Sequence, residues 1–175
     1  MHSSWHRVLV VPILLIALIA ALPALATPSP SVKIAVFDFE LEDVSAAGAA
    51  SLGDAAGDST RMHAVTEEAR RVLAQSGRFS LIDTNGVDAQ PVKDRALRNC
   101  DGCDAAIALK LGAERSLIGV VTRVAKTEYY VSLRFTDTGT GKVINEQSAF
   151  FTGADDAWAS GVRMLLKHGI LADEK

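Results

Sequence analysis

The chain has 175 residues, of which 18 are Lys or Arg and 21 are Asp or Glu, so its formal net charge at pH 7 is −3. Nucleic acids and anionic membrane surfaces are bound by clustered Lys and Arg, and a mildly acidic chain is a poor match for either. We therefore expect no nucleic-acid partner.

The first 26 residues have the composition of a secretory signal peptide. A polar start that contains Arg7 precedes the apolar run Val8–Ala21, and small residues follow at Ala24 and Ala26. A basic start, a short apolar run and a small-x-small exit are typical of a cleaved export signal. The run is shorter than the ~20 residues that a membrane-spanning helix requires. The sequence thus predicts cleavage after Ala26, export to the periplasm, and no membrane span in the mature chain.

No cysteine stands at the predicted cleavage site, so lipid attachment there is not expected. Residues 27–175 are long enough for one domain with a single hydrophobic core. The predicted division of the chain is therefore a signal peptide over residues 1–26 and a single α/β domain over residues 27–175.

Strands and helices alternate in the first half of this domain, and three strands follow one another in the second half. β-Branched and aromatic residues mark the strands, and apolar residues at helical spacing mark the helices. In chain order we predict a strand over residues 31–40, a helix over 60–76, a strand over 78–84, a short helix over 102–111, strands over 115–125, 128–137 and 142–152, and a helix over 155–168.

These elements predict an α/β (α+β) fold with a mixed five-stranded sheet, in the order β-α-β-α-β-β-β-α. The first strand–helix–strand unit predicts a parallel, right-handed crossover, and the three late strands predict an antiparallel meander. Successive side chains of a strand point to opposite faces of the sheet, so a continuous first strand places Phe37 and Phe39 on the same face. Gly169 stands where a glycine ends a helix.

Residues 41–59 are rich in Ala, Gly and Ser and show no clear period. We predict a mobile loop. A loop of this length is uncommon and is either functional or disordered.

The segment TDTGTGK, residues 136–142, resembles two functional motifs and meets neither. A phosphate loop has glycine five positions before Gly141 and Ser or Thr after the lysine, but this chain has Thr136 and Val143 there. An Asp-Thr-Gly protease needs a second carboxylate beside Asp137 and an all-β scaffold. We interpret the segment as a hairpin turn whose glycines supply positive φ angles.

Asp38 and Asp83 follow two strands that are predicted to be parallel, and open α/β sheets bind ligands at the carboxyl ends of such strands. Three further acidic residues add negative charge nearby: Glu40, Glu42 and Asp43. A weak cation or ligand site is one interpretation. We favour the other, in which these are strand-end and loop residues that face water.

Only two histidines follow residue 26, His63 and His168, and neither has Cys or His at metal-ligand spacing. The sequence also lacks the common nucleophile, zinc-protease and dinucleotide motifs. We therefore predict no metal, no cofactor and no catalytic residue.

The segment NCDGCD, residues 99–104, holds both cysteines of the chain, Cys100 and Cys103. Structural zinc needs four Cys or His ligands, and a c-type haem needs a histidine where this chain has Asp104. A thiol-disulfide redox pair remains possible, since Cys100 is placed near a helix start, although Asp101 and Asp104 disfavour a thiolate. We favour a structural disulfide, because paired cysteines oxidise in an export compartment.

Four stretches resemble a bacterial family of exported proteins of unknown function: KIAVFDFELED, NCDGCDAAIALKLGAERSLIGVVTRV, FTDTGTGKVI and WASGVRMLLK. Members of that family are similar in fold to the amino-terminal domain of TolB and to the core domains of CsgG and LpoB. The resemblance implies an α/β domain that binds other envelope proteins and performs no catalysis. No functional residue carries over from these relatives. Only the hairpin residues Asp137, Thr140, Gly141 and Val143 match, and we interpret them as structural.

The leading hypothesis is a soluble periplasmic binding or adaptor domain with an envelope protein as partner. One alternative is a thiol-disulfide redox protein that uses Cys100 and Cys103. Another is a small-ligand carrier with a cleft near Asp38 and the segment 41–59. The identity of the partner and the oligomeric state do not follow from the sequence.

Overall fold

The computed structural model of the chain describes residues 31–50, 55–85, 96–154 and 157–173. The predicted signal peptide and its cleavage site after Ala26 lie outside the described residues, as does part of the connection after the third strand.

The described residues form a mixed sheet with helices on both faces. The elements are β1 (Val32–Val36), β2 (Glu40–Asp43), α1 (Ala46–Ala49), α2 (Ala55–Gln75), β3 (Phe79–Ile82), a 3-10 turn (Leu97–Asn99), α3 (Cys103–Lys110), β4 (Arg115–Ala125), β5 (Glu128–Asp137), β6 (Val143–Thr152) and α4 (Trp158–Leu165). The chain continues from α4 through a π-helical turn (Leu166–Ile170) into a last helical turn, α5 (Leu171–Asp173).

The strand order across the sheet is β3-β1-β4-β5-β6, and β2 pairs with β4 beyond the end of β1. β1 is parallel to both β3 and β4, whereas β4, β5 and β6 form an antiparallel meander. The predicted α/β (α+β) class, the parallel crossover and the meander are therefore confirmed. The described sheet has a sixth strand, β2, which the sequence pattern does not separate from the first.

The first strand is interrupted at Asp38, where the prediction of one continuous strand was wrong. Phe37 packs with the core on one face of the sheet and Phe39 with the core on the other. Residues two apart in a regular strand face the same side, so the backbone has to break between these two rings. The Phe39 N–H donates to Thr66 Oγ1 of α2 at 2.9 Å, which satisfies a backbone group freed by the break.

The prediction of a mobile loop over residues 41–59 was wrong for its described part. β2 and α1 fill its first half, and α2 begins at Ala55. Ser45 caps α1, because its Oγ accepts from the Gly48 N–H at 3.2 Å. Asp43 Oδ1 in turn accepts from the N–H of Ser45 at 3.0 Å. Residues 51–54 lie outside the described part of the chain.

The last helix also differs from its prediction, since helical structure does not end at Gly169. The backbone widens into the π-helical turn and continues as α5. A Cβ on Gly169 would lie 2.9 Å from Cγ of Gln147 in β6. A side chain here would displace the Gln147 side chain, so glycine lets the π-helical turn pack close to β6, and it does not act as a C-terminal stop.

The sheet separates two hydrophobic cores of unequal size. The larger core lies under α2 and α4, a side that we call the α2 face; its fully buried large side chains include Ile34, Leu73, Leu117, Leu133, Phe135 and Trp158. The smaller core lies under α3 and the 3-10 turn, a side that we call the α3 face; it contains Ala35, Phe37, Leu97, Ala108, Ala113, Ile118 and Val120. Most of the buried apolar surface, and hence most of the hydrophobic stabilisation, belongs to the α2 face.

Candidate functional site

The α3 face of the sheet is covered over β1 and β4 and open over β5 and β6. On its open half, Tyr130 of β5 stands opposite Phe150 of β6, and their side chains are 38% and 54% exposed. Ser132 and Arg134 follow Tyr130 on the same face of β5. On the α2 face of the same strand, Tyr129 and Val131 are buried. The open half is therefore a solvent-facing sheet surface that carries aromatic and charged groups.

A groove of about 500 Å³ runs along this open half. Its lining comes from the sheet and from the 3-10 turn: Glu42, Arg98, Asn99, Ile118, Val120, Thr122, Tyr130, Ser132, Arg134 and Glu146. Two arginines and two glutamates give it a mixed charge, and its described lining contains neither histidine nor cysteine. A surface of this kind can donate and accept hydrogen bonds along an extended polar partner.

The 3-10 turn forms one wall of the groove, and Glu40 of β2 holds this wall in place. One carboxylate oxygen of Glu40 accepts from the Leu97 N–H, and the other accepts from Arg98 Nη1 at 2.7 Å. Leu97 is buried in the smaller core. A hydrogen-bonded carboxylate and an apolar anchor together fix the 3-10 turn beside the sheet.

The two cysteines lie in the loop directly behind this wall. Their sulfur atoms lie at bonding distance and their Cα atoms are 5.6 Å apart, within the range of protein disulfides. Both side chains are half-buried and pack against the smaller core. The backbone between them turns through Gly102, whose φ of 80° suits glycine. A structural bond between Cys100 and Cys103 stays a prediction that this geometry fits.

Arg134 lies on the floor of the groove and interacts with a buried carboxylate beneath it, that of Asp104. Asp104, in the first turn of α3, is fully buried, and its Oδ2 accepts from Ser116 Oγ at 2.7 Å. Its Oδ1 lies 3.6 Å from Arg134 Nη2. The charge of Asp104 therefore holds the guanidinium of Arg134 on the floor of the groove.

The acidic residues singled out in the sequence do not form one cluster. Asp38 Oδ1 pairs with Arg70 Nη2 at 3.0 Å, and that guanidinium also donates to the Val36 carbonyl. Asp83 Oδ1 accepts from the Asn85 N–H at 2.8 Å, which forms a local turn. Glu42 accepts from Thr122 Oγ1 at 3.2 Å. Within the described ranges, no three Asp, Glu, His or Cys side chains are grouped so that they could hold a metal ion.

Asp43 belongs to an ionic cluster on the α2 face that the sequence pattern does not reveal. Arg123 of β4 pairs with Asp43 at 2.7 Å and with Asp58 of α2 at 2.5 Å, and its guanidinium lies 4.9 Å from the ring centre of Trp158. Arg123 hydrogen bonding lowers the pKa of Asp58. Burial raises the pKa of Asp43, but hydrogen bonds from Ser45 and Arg123 outweigh it and leave that pKa below its usual value. The cluster ties β2, α2, β4 and α4 together.

The hairpin at residues 137–141 forms a hydrogen-bonded turn. Asp137 Oδ1 accepts from Thr140 N at 2.9 Å and Thr140 Oγ1 at 2.8 Å, and Oδ2 accepts from Arg115 at 2.6 Å. The hydrogen bonds from Thr140 lower the pKa of Asp137. Gly141 has a φ of 67°, the positive value expected for the turn.

The sequence pattern of β5 shows that the groove residues face water, but it does not show that they line a groove. Tyr130, Ser132 and Arg134 alternate with the core residues of that strand, which is the pattern of a sheet with one face in water. The missing information was the extent of α3, since eight residues are too few to cover both halves of the sheet.

Comparisons with solved structures show what the fold resembles. The LpoB C-terminal domain from Salmonella enterica superimposes with a TM-score of 0.50 and 16% identity, over 70% of this chain and 83% of that one. TolB from Acinetobacter baumannii superimposes with a TM-score of 0.51 and 13% identity, over 84% of this chain but 29% of TolB. At these identities the likeness concerns the fold alone, and it confirms the predicted similarity to LpoB and TolB.

A search of curated protein sequences finds no match to the chain. Each helix in the described ranges is too short or too polar to cross a bilayer. A family profile described as "Protein of unknown function (DUF2380)" matches residues 32–170, which includes every strand of the sheet and the groove. The chain therefore belongs to the DUF2380 family of proteins of unknown function.

Proposed function

We propose that the chain is an exported, non-catalytic binding domain of the bacterial envelope that holds a polypeptide partner in the groove of its α3 face. The observation that carries the proposal is the open half of this face, where Tyr130 and Phe150 are exposed side by side. Exposed aromatic groups beside arginine are enriched at protein interfaces. The export part rests on the composition of residues 1–26.

Polypeptide is the occupant that the lining favours. The groove is open to solvent, and its polar groups are spread over four strands and the 3-10 turn. A small-molecule site typically encloses its ligand within apolar walls and fixes it with a few convergent polar groups. A peptide backbone presents donors and acceptors at regular spacing, which matches side chains two residues apart on a strand.

Photo-crosslinking in the exporting cell tests the proposal. A benzophenone amino acid replaces Tyr130 in the groove or, as a control, Leu109, which is 53% exposed on α3. We expect a discrete protein adduct from position 130 and none from position 109. Adding Ser132→Trp, which fills the groove, should abolish that adduct, whereas Ser80→Trp on exposed β3 should not. Equal adducts from both positions, or an adduct that survives Ser132→Trp, would contradict the proposal.

The redox alternative is distinguished by the reduction potential of the cysteine pair. Cys100 and Cys103 are packed against the smaller core, and the carboxylate of Asp104 follows Cys103 directly in the sequence. Both features disfavour a reactive thiolate. We expect a potential below about −300 mV, the range of structural disulfides, in a titration against glutathione. A potential above about −270 mV would favour the redox protein.

The carrier alternative is supported by a second cavity of about 530 Å³ at the carboxyl end of β1. Asp38, Glu40 and Thr84 contribute to its lining. A thermal-shift screen of small metabolites tests this alternative, because a ligand that binds only the native state raises the melting temperature. A hit that Asp38→Asn abolishes would favour the carrier over the adaptor.

A further inference from the structure

The two arginines of the groove already have carboxylate partners that lie outside its lining. Arg98 Nη1 is 2.7 Å from Glu40 Oε2, and Arg134 Nη2 is 3.6 Å from the fully buried Asp104. Neither of these two carboxylates lines the groove. The charge of each arginine is therefore balanced from within the chain, and an acidic partner would have to compete with a carboxylate that folding has already placed.

The two glutamates of the groove have no such charged partner. Glu42 is exposed and accepts from the uncharged hydroxyl of Thr122 at 3.2 Å. Glu146 is exposed and stands opposite Arg134 in the β5–β6 pair, but the buried Nη2 of that arginine faces Asp104. Within the described ranges, no Lys, Arg or His side chain lies at ion-pair distance from either glutamate. The groove is thus balanced in composition but negative in its uncompensated charge.

Exposed aromatic rings lie beside these carboxylates. The strand registers align four side chains in one row across the open half of the α3 face: Glu42, Thr122, Tyr130 and Phe150. Neighbouring strands are about 4.8 Å apart, so Glu42 and Tyr130 are separated by about 10 Å. An extended lysine or arginine side chain can therefore contact the Tyr130 ring and approach the Glu42 carboxylate. Aromatic rings attract ammonium and guanidinium groups, so the rings and the carboxylates favour the same kind of ligand.

We propose that the polypeptide partner presents a basic segment to the groove, with one lysine or arginine over Tyr130 and directed to Glu42, and a second cation at Glu146. This inference rests on the proposed function, since it names the chemistry of the partner that the groove holds. Charge complementarity selects the occupant. A basic segment neutralises both unpaired glutamates, whereas an acidic segment meets two like charges, which weaken its binding.

Two matched peptides test the charge of the partner before its identity is known. Both are terminally blocked peptides of equal length in which threonine alternates with a charged residue, lysine in one and glutamate in the other. Each is added at low salt to the protein purified from cells expressing the full-length chain, and the backbone amide resonances of Tyr130, Ser132 and Phe150 are followed by NMR. We expect the lysine peptide to shift these resonances and the glutamate peptide to leave them in place. Equal shifts from both peptides, or no shift from the lysine peptide, would overturn the proposal.

Charge variants test whether the groove carboxylates bind the lysine peptide. Glu146→Gln should weaken the Kd of that peptide by about two- to fivefold, the range for one exposed ion pair. Glu146→Lys should weaken it by at least about tenfold, because the new charge repels the peptide. Glu67→Lys on α2 makes the same change in net charge away from the groove and should alter the Kd by less than about twofold. If Glu67→Lys weakens binding as much as Glu146→Lys, net charge attracts the peptide and the proposal is wrong.

Photo-crosslinking from position 130 separates this inference from the proposed function. An adduct whose attached segment contains lysine or arginine, and whose yield falls with Glu146→Lys but not with Glu67→Lys, supports both. An adduct whose attached segment contains neither, or whose yield Glu146→Lys leaves unchanged, overturns the basic partner and leaves the groove as the binding site. The absence of any adduct overturns the proposed function and the basic partner together.

Discussion

At the scale of single residues, Glu68 of α2 shows how the fold creates a pH dependence. Hydrogen bonding from Arg71 and Arg163 lowers its pKa from 4.5 to about 2, against the effect of burial. A carboxyl whose pKa falls on folding stabilises the protein above its unfolded pKa and loses that contribution as the pH falls towards its folded pKa. The stabilisation from Glu68 is therefore present above about pH 4.5 and disappears between pH 4.5 and 2.

Glu68→Gln should remove this part of the acid sensitivity. The two arginines are 47% and 42% exposed, so solvent screens the interaction and we expect a loss of about 1–2 kcal/mol at pH 7. The difference between variant and wild type should shrink as the pH falls to 2.5, as measured by urea unfolding. Glu67→Gln, at a 53% exposed position one residue away, is the matched control and should change stability by less than about 0.5 kcal/mol. A loss that is independent of pH would contradict the role assigned to Glu68.

At the scale of elements, the break between β1 and β2 depends on one glycine in the neighbouring strand. A Cβ on Gly119 of β4 would overlap the ring of Phe39, which is 4% exposed and cannot move aside freely. Gly119→Ala should therefore destabilise the protein by about 2–3 kcal/mol, as expected for overpacking. Phe39→Leu alone should also destabilise. The double variant should be more stable than the sum of the two losses predicts, because the smaller side chain makes room for the methyl group. Additive losses in thermal unfolding would mean that the two residues are not in steric conflict.

The same break shows how far the sequence predicts these elements. Periodicity and apolar composition identified the long strands and helices of the described ranges, and β4, β5 and β6 match their predicted ranges to within one residue. They missed β2, because the change of face between Phe37 and Phe39 depends on which core each ring enters. Periodicity also predicted that the last helix ends at Gly169. A glycine that packs close to Gln147 and a glycine that caps a helix look the same in a sequence. Contacts between segments distant in the sequence determine both the break before β2 and the end of the last helix. A local sequence pattern carries no information about such contacts.

At the scale of the whole molecule, the sheet separates the larger core from the groove that we propose as the binding site. The α2 face carries the larger core together with the Arg123 ion pairs, whereas the α3 face carries the smaller core and the groove. Composition and periodicity predicted that helices cover the sheet, but not that one face is only half covered, because that depends on where a short helix ends in space. The groove is thus a property of the assembled layers, and no single motif in the chain encodes it.

This separation predicts a local effect when the cysteine pair is removed. A disulfide between Cys100 and Cys103 closes a very short loop, so replacing both by serine should cost about 2 kcal/mol. Hydrogen exchange should become faster in the 3-10 turn, which forms the wall of the groove, and in the adjoining α3, and stay unchanged in α2 and β5. Crosslinking from position 130 should weaken in the same variant, because the wall that Glu40 holds would no longer be fixed at its far side. Faster exchange throughout α2 would show instead that the two faces of the sheet unfold together.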